Sequence, residues 1–228
     1  MPETKQLKFY PFLCTLLSLI IIIGLIAQYR LVSTGPIYFS ATILVYPFVC
    51  FILDVIAEVY GYRYARQSVW ISIINLLIYS IVLSIISNLP SPNFFSAYTV
   101  NFNFIIHPLL RVTGVFILGV LAGQLVNIYF ISKLKLYVNG RFFALRSIFS
   151  ISLGEITTGL IILFGVFIGK LVVSKILAIF ITEFTIMLVA SFILAFFGSF
   201  FVFWLKKIEP LTENDRGINF NPFSMRVG

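Results

Sequence analysis

Long apolar runs broken by short polar stretches organise this chain of 228 residues. Six of the runs suit an α-helix crossing a bilayer, which needs about 20 mostly apolar residues. They lie at Phe12–Tyr29, Ile37–Val59, Val69–Leu89, Ile105–Ile131, Ser147–Ile168 and Ile176–Leu205. The fourth and sixth are long, which predicts tilt or extension beyond the membrane. The first follows Lys5 and Lys8 as a signal peptide would. Its apolar core exceeds the usual h-region of about 7–15 residues, and no small-x-small site precedes Gln28-Tyr29-Arg30, so it reads as a retained helix. The segment Asn88–Phe104 is uncharged and rich in Pro, Ser, Asn and aromatics. It is expected to be a loop, either anchored by its rings at the membrane interface or capping an external opening. The expected organisation is all-α: a six-helix transmembrane domain over 1–208 and a polar, loosely ordered cytoplasmic tail over 209–228.

Composition supports a membrane class. The chain is 60% hydrophobic and 11% charged, against about 25% charged in soluble domains. Mean hydropathy is +1.06. With the N-terminus inside, cytoplasmic segments collect Lys5, Lys8, Arg63, Arg66, Lys133, Lys135, Arg141, Arg146, Lys206, Lys207, Arg216 and Arg226. The opposite side has Arg30, Lys170 and Lys175. Basic residues favour the cytoplasmic side, so both termini are expected there. The same bias accounts for the net charge of +8 by basic loops beside anionic headgroups, with no nucleic-acid partner.

Polar groups inside the spans carry the candidate chemistry. Asp54 and Glu58 lie one helical turn apart on one face of the second span. An acid near the bilayer centre costs about 2.5–3.5 kcal/mol or more, so such residues face cavities or partners. Counting 1.5 Å per residue puts Asp54 roughly 8 Å inside the cytoplasmic end, with Glu58 almost at that end, as a ligand-binding or an interfacial structural acid. Gln124 and Asn127 share a face of the fourth span, and Glu155 and Thr158 a face of the fifth. The same counting puts Gln124 and Glu155 roughly 11–12 Å from the cytoplasmic boundary. Asp54, Gln124, Asn127, Glu155 and Thr158 thus form one expected inner layer, lining a substrate cavity or gluing helices together. In the opposite half, Arg111 and Glu183 match in depth and oppose in charge, which predicts an ion pair, structural or gating. Cys14 and Cys50 are expected to pack, and His107, the only histidine, to be structural. No metal cluster, catalytic triad, Walker loop or nucleophile elbow is present, and no cofactor is expected. An intramembrane enzyme with Asp54 and Glu58 as acid and base would lack both metal set and nucleophile.

Pro47, Asp54, Glu58, Tyr60-Gly61, Ala65 and Arg66 resemble the signature of the queuosine-precursor transporter family, also called the VUT or YhhQ-type family. The likeness continues through Arg111, Gly123-Gln124, Asn127, Phe130 and Leu134-Lys135, then Leu145-Arg146, Ser150 and Glu155. It covers about Tyr46 to Ile168. The resemblance implies a six-helix bacterial inner-membrane importer of 7-cyano-7-deazaguanine and related precursors, similar in architecture to vitamin-uptake S-components. Adjacent N–H donors of a guanine-like edge suit a carboxylate such as Asp54 or Glu155, and Gln and Asn supply donors and acceptors for the rest. Phe48 and Phe51 are either packing residues or stacking partners for the ring. The chain departs from the family at Asn127, where Asp is common, and at Glu155…Thr158, where Gln-x-x-Asp is common. Thr185 and Ala195 stand where a Lys and a Pro are common in the last helix. The alternative is a substrate-binding subunit that needs an energising ATPase.

Overall fold

The computed structural model describes residues 7–107, 109–209 and 220–223. Its helices are α1 (Tyr10–Ala27), α2 (Tyr46–Val59), α3 (Tyr62–Ser87), α4 (Ser96–Ile106), α5 (Leu109–Tyr137), α6 (Phe143–Phe167) and α7 (Val173–Ile208). A hairpin of β1 (Leu31–Thr34) and β2 (Ile37–Ser40) joins α1 to a 3-10 turn at Ala41–Leu44, which leads into α2. Helices α1, α3, α6 and α7, and α5 with α4 leading into it, are long and apolar enough to cross a membrane.

The second expected span, Ile37–Val59, is the one the fold redraws. Its first four residues are β2, paired with β1 from Leu31↔Ser40 to Thr34↔Ile37. The reason is local: Gly35 at φ 63 followed by Pro36 makes the two-residue turn that puts glycine first, and β-branched residues flank it. What remains is α2, with 14 residues, and all but Phe48 and Phe51 are buried. It packs against α1, α3, α5 and α7. A helix enclosed by protein need not match the hydrocarbon thickness, and its polar groups can bond to neighbours instead of meeting lipid.

Gly61 explains the Tyr-Gly of the signature. It takes φ 89 between α2 and α3, a conformation that favours glycine, and so lets α3 begin at the very next residue. Helices α5 and α6 make the closest approach. A Cβ added at Gly123 would lie 2.7 Å from the Gly154 carbonyl oxygen, and one at Gly154 would lie 2.8 Å from that of Gly123. Small residues on facing helices are how membrane bundles pack backbone against backbone.

Two further expectations change. Asn88–Phe104 is not only loop, since α4 begins at Ser96; of its side chains only Ile106 is buried, and Tyr98, Val100 and Phe104 are exposed. In the tail, the described residues dock rather than hang free. Tyr62 Oη donates to the Phe220 carbonyl at 3.0 Å, Arg66 Nη1 to that of Asn221 at 2.8 Å, and Trp70 Nε1 to that of Pro222 at 3.0 Å. Residues 210–219 and 224–228, with Lys5 near the other terminus, lie outside the described residues. The ends of α1 and α7 meet where the Phe9 amide donates to Glu209 Oε1 at 2.7 Å.

Candidate functional site

Four residues at spacing four, Tyr46, Cys50, Asp54 and Glu58, form one stripe along α2. Each meets groups from other helices, so the stripe becomes a ladder of polar tiers. At the C-terminal tier, Arg146 of α6 donates from Nη1 and Nη2 to Glu58 Oε2, both at 3.1 Å. Lys206 of α7 donates to Glu58 Oε1 at 2.6 Å, and Lys135 of α5 to the Glu58 carbonyl at 3.0 Å. These cations also face the negative end of the α2 dipole. Both Glu58 carboxylate oxygens are thus occupied by cations of other helices.

One turn earlier, Asp54 is fully buried. Asn127 Nδ2 donates to its Oδ1 at 2.8 Å, and Ser147 Oγ donates to its Oδ2. Ser147 was not among the expected site residues, although it adjoins Arg146 at the start of α6. In the next tier Gln124 Nε2 donates to Tyr46 Oη at 2.7 Å, and Tyr46 Oη shares a hydrogen bond of 3.2 Å with Thr158 Oγ1. The Gln124 amide also approaches Cys50 Sγ at 3.5 Å, which brings that packing residue into the polar ladder.

Beyond this tier, at the N-terminal end of α2, lies a cavity of about 20 Å³ lined by Gln28, Thr42, Tyr46, Glu155, Thr158 and Glu183, with apolar walls from Ile43, Ile162 and Leu163. By this measure about 10–15 Å³ admits one water. Glu155 is 5% exposed, and its Oε2 has no hydrogen-bond partner among the described residues. The same holds for Gln28 Nε2. Glu183 is 7% exposed and accepts the Ser40 amide on Oε1 at 2.6 Å, tying α7 to the end of the hairpin.

The single inner layer expected from depth counting is therefore two tiers. Asp54 and Asn127 bond to each other in one, while Gln124 and Thr158 meet through Tyr46 in the other, with Glu155 beside them on the cavity. The expected ion pair of Arg111 with Glu183 is absent: Arg111 is exposed, and Glu183 turns into the bundle toward Ser40. The hairpin supplies the reason, because its backbone amide reaches the carboxylate first. Tyr46, Gln28 and Thr42 are the lining residues that sequence reasoning passed over. The four-residue spacing of Tyr46 with Cys50 and Asp54 was the signal for the first; Gln28 and Thr42 follow a helix end and a hairpin that hydropathy does not register.

Apolar helices long enough to span surround a buried, polar-striped helix with an acidic cavity against it, the build of a multi-pass membrane protein. Residues 40–201, well over half the chain, match the family model described as putative vitamin uptake transporter. The chain belongs to that family, whose members are membrane importers of small molecules. No curated protein and no solved structure matches it.

Proposed function

We propose that this protein imports a small, flat, nitrogen-rich heterocycle, a queuosine precursor such as 7-cyano-7-deazaguanine, across a bacterial inner membrane with both termini cytoplasmic. The single observation behind this reading is the unpartnered Glu155 carboxylate oxygen on a polar cavity. A buried acceptor without a donor is costly, and the adjacent N–H groups of a guanine-like edge would satisfy it. Glu155 and Thr158 would contact the ring directly. Tyr46 would bond to it while held in place by Gln124, and Asp54 with Asn127 would form the floor.

A purine-sized ring does not fit in about 20 Å³. Import therefore involves α6 and α7 parting around the cavity, with the Glu58 cluster holding the C-terminal end of α2 closed until the other end has shut. The alternative of a subunit docked on an energising ATPase gains nothing from the exposed face of α7, which is bulky: Phe192, Phe196, Phe200 and Phe203 project from it. Uptake of labelled 7-cyano-7-deazaguanine by a precursor-requiring strain expressing this chain tests the reading, with vitamins and free purines as competitors. Saturable uptake that deazapurines alone compete with would support it. Uptake no greater than in cells without the chain would refute it.

A further inference from the structure

Two carboxylates share the cavity, and among the described residues no lysine, arginine or histidine lines it. We propose that the space between Glu155 and Glu183 binds a monovalent cation, a sodium ion or a proton carried on water, and that this ion is coupled to transport. The proposal rests on the import reading, shares its cavity and its unpartnered Glu155 oxygen, and adds the second acid, Glu183. Both side chains are more than nine-tenths buried, where an acidic pair without countercharge is expensive. The one cation expected to neutralise Glu183, Arg111, is exposed and forms no ion pair with it. Among the described residues, then, no cation supplies the missing countercharge.

The lining suits a small hard ion. Oxygen donors converge from four segments: Thr42 after the hairpin, Tyr46 of α2, Glu155 and Thr158 of α6, and Glu183 of α7. Thr42 Oγ1 gives its proton to the Gly24 carbonyl at 2.9 Å, which leaves its lone pairs free to coordinate. Glu155 Oε2 already lacks a partner. Gln28 joins the set when its amide turns over, since Ser40 Oγ, 3.4 Å from Oε1, can donate or accept. Volume favours one small ion over a hydrated divalent cation, which takes six or more oxygens or keeps several waters.

The other ionisable groups near the pair are few. Tyr46 and Cys50 of α2 lie within electrostatic reach of Glu155, and Asp54 within reach of Cys50. Tyr29, after α1, faces Arg111 of α5. Because Glu183 also holds the Ser40 amide, filling the cavity ties the hairpin, α6 and α7 into one unit. An empty cavity leaves α6 and α7 without that tie.

The test uses the purified full chain in detergent, without substrate, so either reading can fail alone. Sodium replaces choline at constant ionic strength and pH; separately, pH is lowered in choline. A ligand of the folded state raises the melting midpoint in proportion to the logarithm of its concentration above Kd. The expected result is a rise of several degrees with sodium or with acid, reduced in Glu155→Gln and in Glu183→Gln and lost in the double variant. Binding of radioactive sodium to the unmodified protein, which needs no variant, distinguishes the sources: bound label assigns the ion as sodium, and absent label with acid stabilisation assigns it as a proton. A midpoint indifferent to both ions, an undiminished shift in the variants, or stabilisation by divalent cations alone overturns the proposal.

Discussion

Glu58 and Arg146 are joined through one carboxylate oxygen, which receives both Nη1 and Nη2 of the guanidinium at 3.1 Å, while Lys206 occupies the other oxygen at 2.6 Å. Arg146 also donates to the Arg141 and Ile131 carbonyls at 3.0 and 3.2 Å, so it fastens the α5–α6 connection as well as α2. Glu58→Gln would leave a buried guanidinium without its counterion, and breaking a buried pair from one side costs about 3–5 kcal/mol. Lys206 is 31% exposed on its side chain and can return to water. Lys206→Met is therefore expected to cost under about 1 kcal/mol. Denaturant unfolding of both variants in the same detergent checks the difference. Equal losses would mean that Arg146 is not what Glu58 holds.

Asp54 and Asn127 form a donor–acceptor pair whose two roles separate by exchange. Asp54→Asn sets an amide against the Asn127 amide and the Ser147 hydroxyl, leaving buried groups poorly paired, at about 1–3 kcal/mol. The reciprocal variant, Asp54→Asn with Asn127→Asp, restores one acid and one amide between α2 and α5. Stability is expected to recover in part, because Ser147 loses its carboxylate. Uptake is expected to stay low if the carboxylate position matters to the ligand. Full recovery of uptake would make the pair structural glue and nothing more.

The sequence announces most of the bundle because lipid imposes a simple rule, a long apolar run for each crossing, and α1, α3, α5, α6 and α7 obey it. It conceals how short α2 is and that other helices enclose it, which frees it from that rule. Ile37–Ser40 is as apolar as a helix start, yet Gly35-Pro36 turns it into a strand. Depth counting put Asp54, Gln124, Asn127, Glu155 and Thr158 in one layer, and the structure divides them between two tiers. Counting failed for Arg111 and Glu183 because equal depth says nothing about rotation around the helix axis or about a backbone amide arriving from a hairpin. Gln28 and Thr42 enter the cavity for a reason visible only in three dimensions.

The C-terminal segment is expected to act as a strap. Tyr62, Arg66 and Trp70, spaced by four along α3, hold three successive carbonyls, and Phe220 sits 4.9 Å from the Tyr62 ring and 5.9 Å from that of Tyr129. The strap thus bridges α3 and α5. Ending the chain before Phe220 removes these contacts and the Trp70–Phe223 ring contact. In a Trp204→Phe background, where Trp70 is the remaining indole, its emission is expected to shift to the red and the melting midpoint to fall. An unchanged spectrum would show that the strap is not seated in solution.

Gly123 is where the smallest change should reach the site. A Cβ there would lie 1.7 Å from Thr158 Oγ1 and 2.7 Å from the Gly154 carbonyl oxygen, and the second neighbour is backbone that cannot rotate away. Gly123→Ala must therefore push α5 and α6 apart, a kind of overpacking that costs about 1–3 kcal/mol. The displacement falls on Thr158, whose hydroxyl pairs with Tyr46 beside the cavity, so uptake is expected to fall further than stability alone explains. Gly114 lies on the same helix with nothing within 4 Å of an added Cβ. Gly114→Ala is expected to be neutral or slightly stabilising, since Ala is the better helix former by up to about 1 kcal/mol. Comparing the two variants for melting midpoint and uptake removes the general effect of Gly→Ala in α5. If both behave alike, the close α5–α6 contact does not set the geometry of the cavity.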